Sequence, residues 1–406
     1  NVRVQEDGNL VLYQGTGNTK VLWATNTAGK GGKGGAGGTT RLDLQDDGNL
    51  VLYEESNVLW ASNTNRGAKL VVQSDCNLVL YNDDDKTVVG WASNTCPCPG
   101  SGPAPGPGPA PGPGPAPGPG PATCDPTAHG ASPDSDDNAG AIQAALDECQ
   151  HGGTVHLAGG TFRSGPLTVT GTGVTLSLGE DAMLETAFPP DTWCKGGCTS
   201  VLTFDNCHGC TLTGGGVLNG RGIQDRWYEL FDEGKIDDRP LYLVVTDCSD
   251  FVISGSLTIL DSPAFNVLLD GVAGAEISGL NITSTWYEKD GERREPHNTD
   301  GIDPTGGSHD IHIHDVYISN GDDSIAVKPS DPGKPCTRNI LVENAVFKKG
   351  HGASIGSVGS GCVENVVFRN IKLESTANGA RVKTYSSNDG DGHVRNITWT
   401  DVQMHG

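Results

Sequence analysis

Positive charge is the first thing this chain of 406 residues is short of: 27 Lys+Arg face 50 Asp+Glu, a net charge of −23. No basic stripe stands out. That argues against nucleic acid as a partner and disfavours an anionic membrane surface. Long apolar runs are also missing, and none approaches the roughly 18 residues of a membrane span. Charged residues make up 19% and aromatics 6%, which excludes a coiled coil or a disordered acidic tail. Helical periodicity is nearly absent too. One amphipathic segment, SDDNAGAIQAALDECQ (135–150), places Ile142, Ala145, Leu146 and Cys149 on one face, with Asp and Ser available as caps. No comparable helix pattern follows it.

Glycine is abundant, at 59 residues, and favours many tight turns and therefore β structure. Twelve cysteines form an even set: Cys76, Cys96, Cys98, Cys124, Cys149, Cys194, Cys198, Cys207, Cys210, Cys248, Cys336 and Cys362. Cys194/Cys198 and Cys207/Cys210 have spacings that admit a zinc site. In a chain that reads as secreted, disulfides are the plainer account. Asn281 and Asn396 each open an N-I-T sequon, which fits an extracellular or cell-wall protein. The chain opens on Asn1 rather than Met, so a leader is expected to have been removed or omitted.

A Pro/Gly/Ala repeat without charge fills residues 99–122. It can form no core and reads as a spacer of intermediate stiffness. It separates residues 1–98 from 123–406. The first part carries 8 Lys+Arg against 11 Asp+Glu; all that follows carries 19 against 39, so −20 of the −23 lies there.

Residues 1–98 repeat internally. QEDGNLVLY (5–13), QDDGNLVLY (45–53) and QSDCNLVLY (73–81) are followed by WATNT (23–27), WASNT (60–64) and WASNT (91–95). With a period of two, Gln5, Asp7, Asn9, Val11 and Tyr13 share one face while Leu10 and Leu12 face a core with the tryptophans. One such face is an ordinary solvated surface. Three copies of the same polar residues suit the vicinal hydroxyls of a sugar, which donate and accept together. The segment resembles the monocot mannose-binding, or bulb-type, lectins through this Q-x-D-x-N-x-V-x-Y motif. The resemblance implies a β-prism and up to three mannose sites: Gln5, Asp7, Asn9, Tyr13; Gln45, Asp47, Asn49, Tyr53; and Gln73, Asp75, Asn77, Tyr81. It also implies that Cys76 pairs with Cys96 or Cys98. The glycine-rich insertion 28–38 and the short start before the first motif depart from the family pattern.

After residue 150, Val/Ile-rich strands recur every 20–30 residues between Gly, Asn and Asp turns. Without crossover helices this fits a right-handed parallel β-helix, with the single helix capping one end. The chain is therefore expected to be all-β. Stacked coils bring equivalent residues to about 4.8 Å. Asp300 and Asp323 each precede an isoleucine by two residues and are 23 apart, about one coil. Asp322 adds a carboxylate, and His351 lies a coil further on. Arg381 and Lys383 lie one beyond, on a shared side. Such a cluster suits acid/base chemistry: crowded carboxylates raise one another's pKa, so one can stay protonated. A calcium site is a rival use of clustered acids.

HNTDGID (297–303), NGDDSIAVK (320–328), GHGASIGS (350–357) and ARVKT (380–384) resemble, in order, the motifs of the family 28 polygalacturonases. The resemblance implies inverting hydrolysis of α-1,4-galacturonosyl bonds in pectin, with no cofactor and no metal. Asp322 is then the general acid, Asp300 and Asp323 activate water, and His351 supports the acid. Arg381 and Lys383 clamp a substrate carboxylate, Asn298 positions the cluster, and Trp399 replaces a cleft tyrosine at a sugar subsite. The paired aspartates are expected in a turn or bulge, with Lys328 only flanking them. Ser324 stands where many members have Cys, and Cys336–Cys362 is the disulfide implied instead. Only 23 residues follow Lys383, fewer than the family pattern, so a fragment with one uncapped end is expected. The expected partners are pectic polysaccharide and mannose-containing glycans. The alternatives are a carbohydrate-binding protein with an inactive hydrolase half, or a hydrolase of xylogalacturonan or rhamnogalacturonan. Endo and exo action both stay open.

Overall fold

In a computed structural model, the structure describes residues 2–5, 8–14, 20–25, 27, 40–45, 48–55, 57–62, 64, 67–72, 78–82, 89–93, 122–194, 197–385 and 392–406. The chain forms two compact units, Asn1–Gly114 and Pro115–Gly406. Asp7, Asp47, Gln73, Asp75, Asn77, Cys76, Cys96 and Cys98 lie outside the described residues, as do the glycine-rich insertion and all of the linker but Ala122.

The first unit is a β-prism of three antiparallel three-stranded sheets, one per repeat. Their central strands are Leu10–Gln14, Leu50–Glu54 and Leu78–Asn82. Leu10, Leu12 and their counterparts are buried as expected, and Trp23 meets Trp60 edge to face at 5.7 Å. Two expectations fail. Val11 is also buried, at 3% exposure, so the strand is covered on both faces. Gln5, Gly8 and Asn9 lie off the strand: Gln5 N–H donates to Asn9 O at 2.8 Å and Gly8 N–H to Gln5 O at 3.1 Å. Val4 then pairs antiparallel with Leu10. Gln5 and Tyr13 meet because the chain doubles back, not because of a period of two.

The second unit is a right-handed parallel β-helix. Its helix spans Ala139–Glu148 and buries Ile142, Ala145 and Leu146. The capping position is Asn138, but the Asp137 carboxylate accepts the Ala139 N–H at 2.9 Å. A Cys124–Cys149 disulfide ties the helix to the first parallel strand.

Three strips of sheet wind along the axis, and inward residues stack coil on coil. One ladder runs Cys124, Val155, Leu176, Leu212, Ile253, Ile277, Ile313, Val342, Phe368, Trp399. The strip that carries the candidate site runs Leu167, Leu202, Leu243, Val267, Ile302, Ile325, Ala353, Ala380. At the corners Asn and Asp take left-handed backbone, which short polar side chains tolerate; Asn339, Asn365 and Asn396 have φ of 56°, 55° and 53°. Each such residue resets the strand's alternation. In Cys362–Glu374 the buried residues step Val363, Val366, Phe368, Ile371, Leu373, alternating three and two.

The cysteines at 194/198, 207/210 and 336/362 form disulfides. This overturns the zinc reading and matches the Cys336–Cys362 pairing implied by the family resemblance. Cys248 is free and buried.

Candidate active site

The strands Ile302–Thr305 and Asp323–Val327 stack in parallel, with Ile302 opposite Ile325. The offset of 23 residues is one coil. Gly301 allows the close approach: a Cβ there would sit 2.2 Å from Ser324 O. Asp322 precedes its strand and Asp323 opens it, and the register with the next coil shifts between Asp323 and Ile325. Such a bulge turns neighbouring side chains to one side. One donor atom each from Asp322, Asp323 and His351 gather within 4.8 Å of one another.

Asp322 is the more open carboxylate, with 18% side-chain exposure. His351 Nδ1 lies 3.0 Å from its Oδ1. The Asp323 N–H donates to Oδ1 at 2.8 Å and the Asn298 N–H to Oδ2 at 3.2 Å. Burial pushes this carboxyl up, but the hydrogen bond and charge of His351, with the two N–H groups, outweigh it and hold it at about 2. The same bond raises His351 above its ordinary value against the effect of burial. The pair is therefore carboxylate and imidazolium, with the proton on the histidine.

Asp323 is closed off. Its side chain has no exposure; Arg381 Nη2 lies 2.6 Å from Oδ1 and Lys383 pairs with Oδ2. Ser354 Oγ donates to Oδ1 at 2.6 Å. This differs from an expectation in which Asp323 shares water activation and the two cations face substrate. The register explains it: Arg381 stacks on Ser354, and Ser354 on Ala326, so both cations overhang the Asp323 coil.

Asp300 faces a different cation. Lys328 Nζ lies 3.0 Å from Asp300 Oδ2 and 3.2 Å from Asp303 Oδ2. Burial raises Asp300, Lys328 opposes it, and the charges of Asp322 and Asp323 add to the rise. Asp303 is fully buried, which pushes its carboxyl well above the usual range. Lys328, expected only to flank the site, is the half-buried counterion of these two buried acids. Asp303 and Lys328 carried a faint signal in the sequence: a single acid inside one short strand and a cation directly after an apolar one.

Asn298 offers its N–H to Asp322, while its side-chain Oδ1 accepts Arg239 Nη2 at 3.0 Å. Arg239, 5% exposed, also donates to Pro263 O at 2.9 Å and His297 O at 2.8 Å, over the ring of Phe231. The Asn298 loop is thus braced from the segment before it, by a residue no motif marked.

Trp399 is not in the site. It is the last rung of an interior ladder, stacked 5.6 Å from Phe368 with the planes 4° apart. Asn396, at φ 53°, resets the alternation and turns Trp399 inward.

In the first unit two copies repeat the same contacts. Gln5 Nε2 donates to the Tyr13 hydroxyl at 2.9 Å and Gln45 Nε2 to that of Tyr53 at 2.8 Å. Asn9 and Asn49 take a hydroxyl from the second phrase, Thr25 at 2.8 Å and Ser62 at 3.0 Å. Their Oδ1 atoms therefore also join the two phrases of each repeat. Of the four candidate residues in the third copy, only Tyr81 is described.

Comparison with known proteins bears on the second unit. The family model described as glycosyl hydrolases family 28 matches residues 149–406. A probable endo-xylogalacturonan hydrolase A of Neosartorya fischeri is 30% identical over 295 residues, covering 70% of this chain and 68% of that protein. Among solved structures, endo-xylogalacturonan hydrolase from Aspergillus tubingensis aligns with a TM-score of 0.61 and 28% identity, over 70% of this chain and 74% of its own. A polygalacturonase from Erwinia carotovora ssp. carotovora aligns with a TM-score of 0.60 and 29% identity, over 70% and 77%.

Proposed function

For a chain that belongs to glycosyl hydrolase family 28, we propose that the second unit hydrolyses galacturonosyl bonds of a pectic backbone with inversion. The observation that carries this is the meeting of Asp322–His351 with the Lys328-held Asp300 at one turn of the β-helix. Substrate entering the cleft strips water from Asp322, which favours its neutral form, and the His351 proton moves to it. Asp322 then protonates the leaving glycosidic oxygen as the C–O bond breaks. A water on the opposite face of the sugar bonds the anomeric carbon and gives its proton to Asp300. Asp323 is engaged on both oxygens, so its part is to hold Arg381 and Lys383. Those two keep 23% and 26% side-chain exposure, enough to contact a substrate carboxylate. Their occupation of Asp323 also argues for catalysis without a metal at this cluster, and a chelator should leave activity unchanged.

The similar endo-xylogalacturonan hydrolases favour xylogalacturonan, and the similar Erwinia polygalacturonase, with the motifs, favours polygalacturonate. Both share the bond to be broken. Product profiling on polygalacturonate and xylogalacturonan separates them. New reducing ends without unsaturated sugars are expected on at least one polymer. No reducing ends on either, nor on rhamnogalacturonan, would leave a carbohydrate-binding protein with an inactive hydrolase half.

For the first unit we infer glycan binding that holds the enzyme at glycan-rich surfaces, since tethering raises local concentration without new catalytic contacts. The repeated Gln–Tyr contacts support it. Retention of the whole chain on a mannose column, released by free mannose, is expected; passage through the column would remove this reading. Secretion to the extracellular space or cell wall fits the disulfides and both substrates.

A further inference from the structure

A polyanionic substrate must overcome the negative charge of this unit, and the cations expected to achieve that are largely committed. Arg381 and Lys383 face Asp323, Lys328 faces Asp300 and Asp303, and His351 faces Asp322. Two other cations beside the site have no such partner: among the described residues, neither Arg293 nor Lys349 forms an ion pair. Both lie by the ring of Trp286, with Arg293 Cζ at 5.5 Å and Lys349 Nζ at 5.6 Å from its centroid.

This group is fastened to the catalytic turn. The Trp286 Nε1–H donates to Asn320 O at 3.1 Å. Asn320 is fully buried and donates through Nδ2 to Thr299 O and Asp323 O, both at 2.8 Å. The indole is thus fixed to the same backbone that carries Asp300 and Asp323. Lys349 stands two residues before His351, on the coil that supplies Asp322 with its partner. Arg293 comes from the hairpin Tyr287–Lys289/Glu292–Arg294, which projects from the connection before Asn298. An aromatic face flanked by two uncommitted cations suits a sugar with an apolar C–H face and a carboxylate.

We propose that Trp286, Arg293 and Lys349 form a subsite for a uronate residue of the substrate chain, next to the residue whose bond is broken. This rests on the hydrolase reading above and adds where the backbone charge is recognised. Burial lowers Lys349, and the like charges of Arg293 and Lys348 add to it; an arriving carboxylate relieves that repulsion. The subsite also gives the enzyme a reason to prefer free carboxylates over methyl esters.

The test is the double variant Arg293→Gln/Lys349→Asn; Asn tolerates the left-handed backbone of Lys349, φ 59°. On de-esterified galacturonan KM should rise about tenfold, the equivalent of one charged contact, with kcat within about twofold. On the fully methyl-esterified polymer KM should not move. Lys349→Arg should restore most of the loss. An unchanged KM on the charged polymer, or an equal rise on both, overturns the proposal. If the wild-type enzyme cleaves neither polymer, the hydrolase reading fails and the subsite is still tested by titrating tri-galacturonate into both proteins. Weaker binding to the double variant supports the subsite, and equal binding overturns it.

Discussion

Gln5 and Gln45 each reach the tyrosine eight residues on, at 2.9 and 2.8 Å, and Asn9 and Asn49 each accept a hydroxyl from the phrase that follows. The first unit copies residues and contacts together. The β-helix copies something else. Its ten-rung ladder from Cys124 to Trp399 keeps an inward position while cysteine, valine, leucine, isoleucine, phenylalanine and tryptophan fill it. There, chemistry sits where the pattern is broken: a bulge at Asp323, an acid inside the strand at Asp303, a long connection before Asn298. On the proposed reading, repeated identity marks a site made several times, and a break in repeated geometry marks a site made once.

The comparison breaks most sharply if a change in the unique site leaves catalysis standing. Asp322→Asn keeps the shape and removes the transferable proton. Loss of about 10²- to 10⁴-fold in kcat is expected, read as reducing ends released, with retention on mannose unaltered.

Next in size is Lys328→Met. Removing the cation leaves Asp300 and Asp303 buried without a partner, which costs about 3–5 kcal/mol. Denaturant unfolding of the second unit should show it, together with loss of activity.

Trp399→Ala sharpens the line between rung and site. A half-buried aromatic at the end of a ladder is expected to cost about 2 kcal/mol in unfolding free energy. KM on galacturonan should stay at its wild-type value; a raised KM would return Trp399 to the cleft.

The smallest effect is in pH. Asp300 acts ionised and its folded pKa is raised, so the acid limb of kcat/KM should lie above the usual carboxylate range. His351 acts protonated and is also raised, so the basic limb should lie above about 6.5. The same sign holds for stability: the His351 contribution is full below its unfolded pKa and is lost as pH rises through the folded one. His351→Gln should remove the basic limb.

The gathering of Asp300, Asp322, Asp323 and His351 was legible because one coil of about 23 residues converts sequence offset into adjacency. Which partner each carboxylate takes was not. That depends on how far long side chains reach across coils, and Lys328, Arg381 and Lys383 all reach back to an acid of an earlier coil. Trp399 misled for a related reason. Strict alternation assumes an unbroken strand, and left-handed Asn396 and Asp401 shift its phase twice within His393–His405. In the first unit the Gln5 N–H to Asn9 O closure was hidden by residues that alternate as a strand would. Arg239 carried no signal at all, since its role comes from a loop folding over Phe231.

The central claim is that Asp322 and Asp300 act on opposite faces of one sugar. Proton NMR of the first reducing ends released from galacturonan reads this directly, before mutarotation scrambles them. Attack by water opposite the leaving group predicts the β anomer from an α linkage. First-formed α anomer would contradict the account, because it requires a covalent intermediate that this arrangement of carboxylates is not proposed to form.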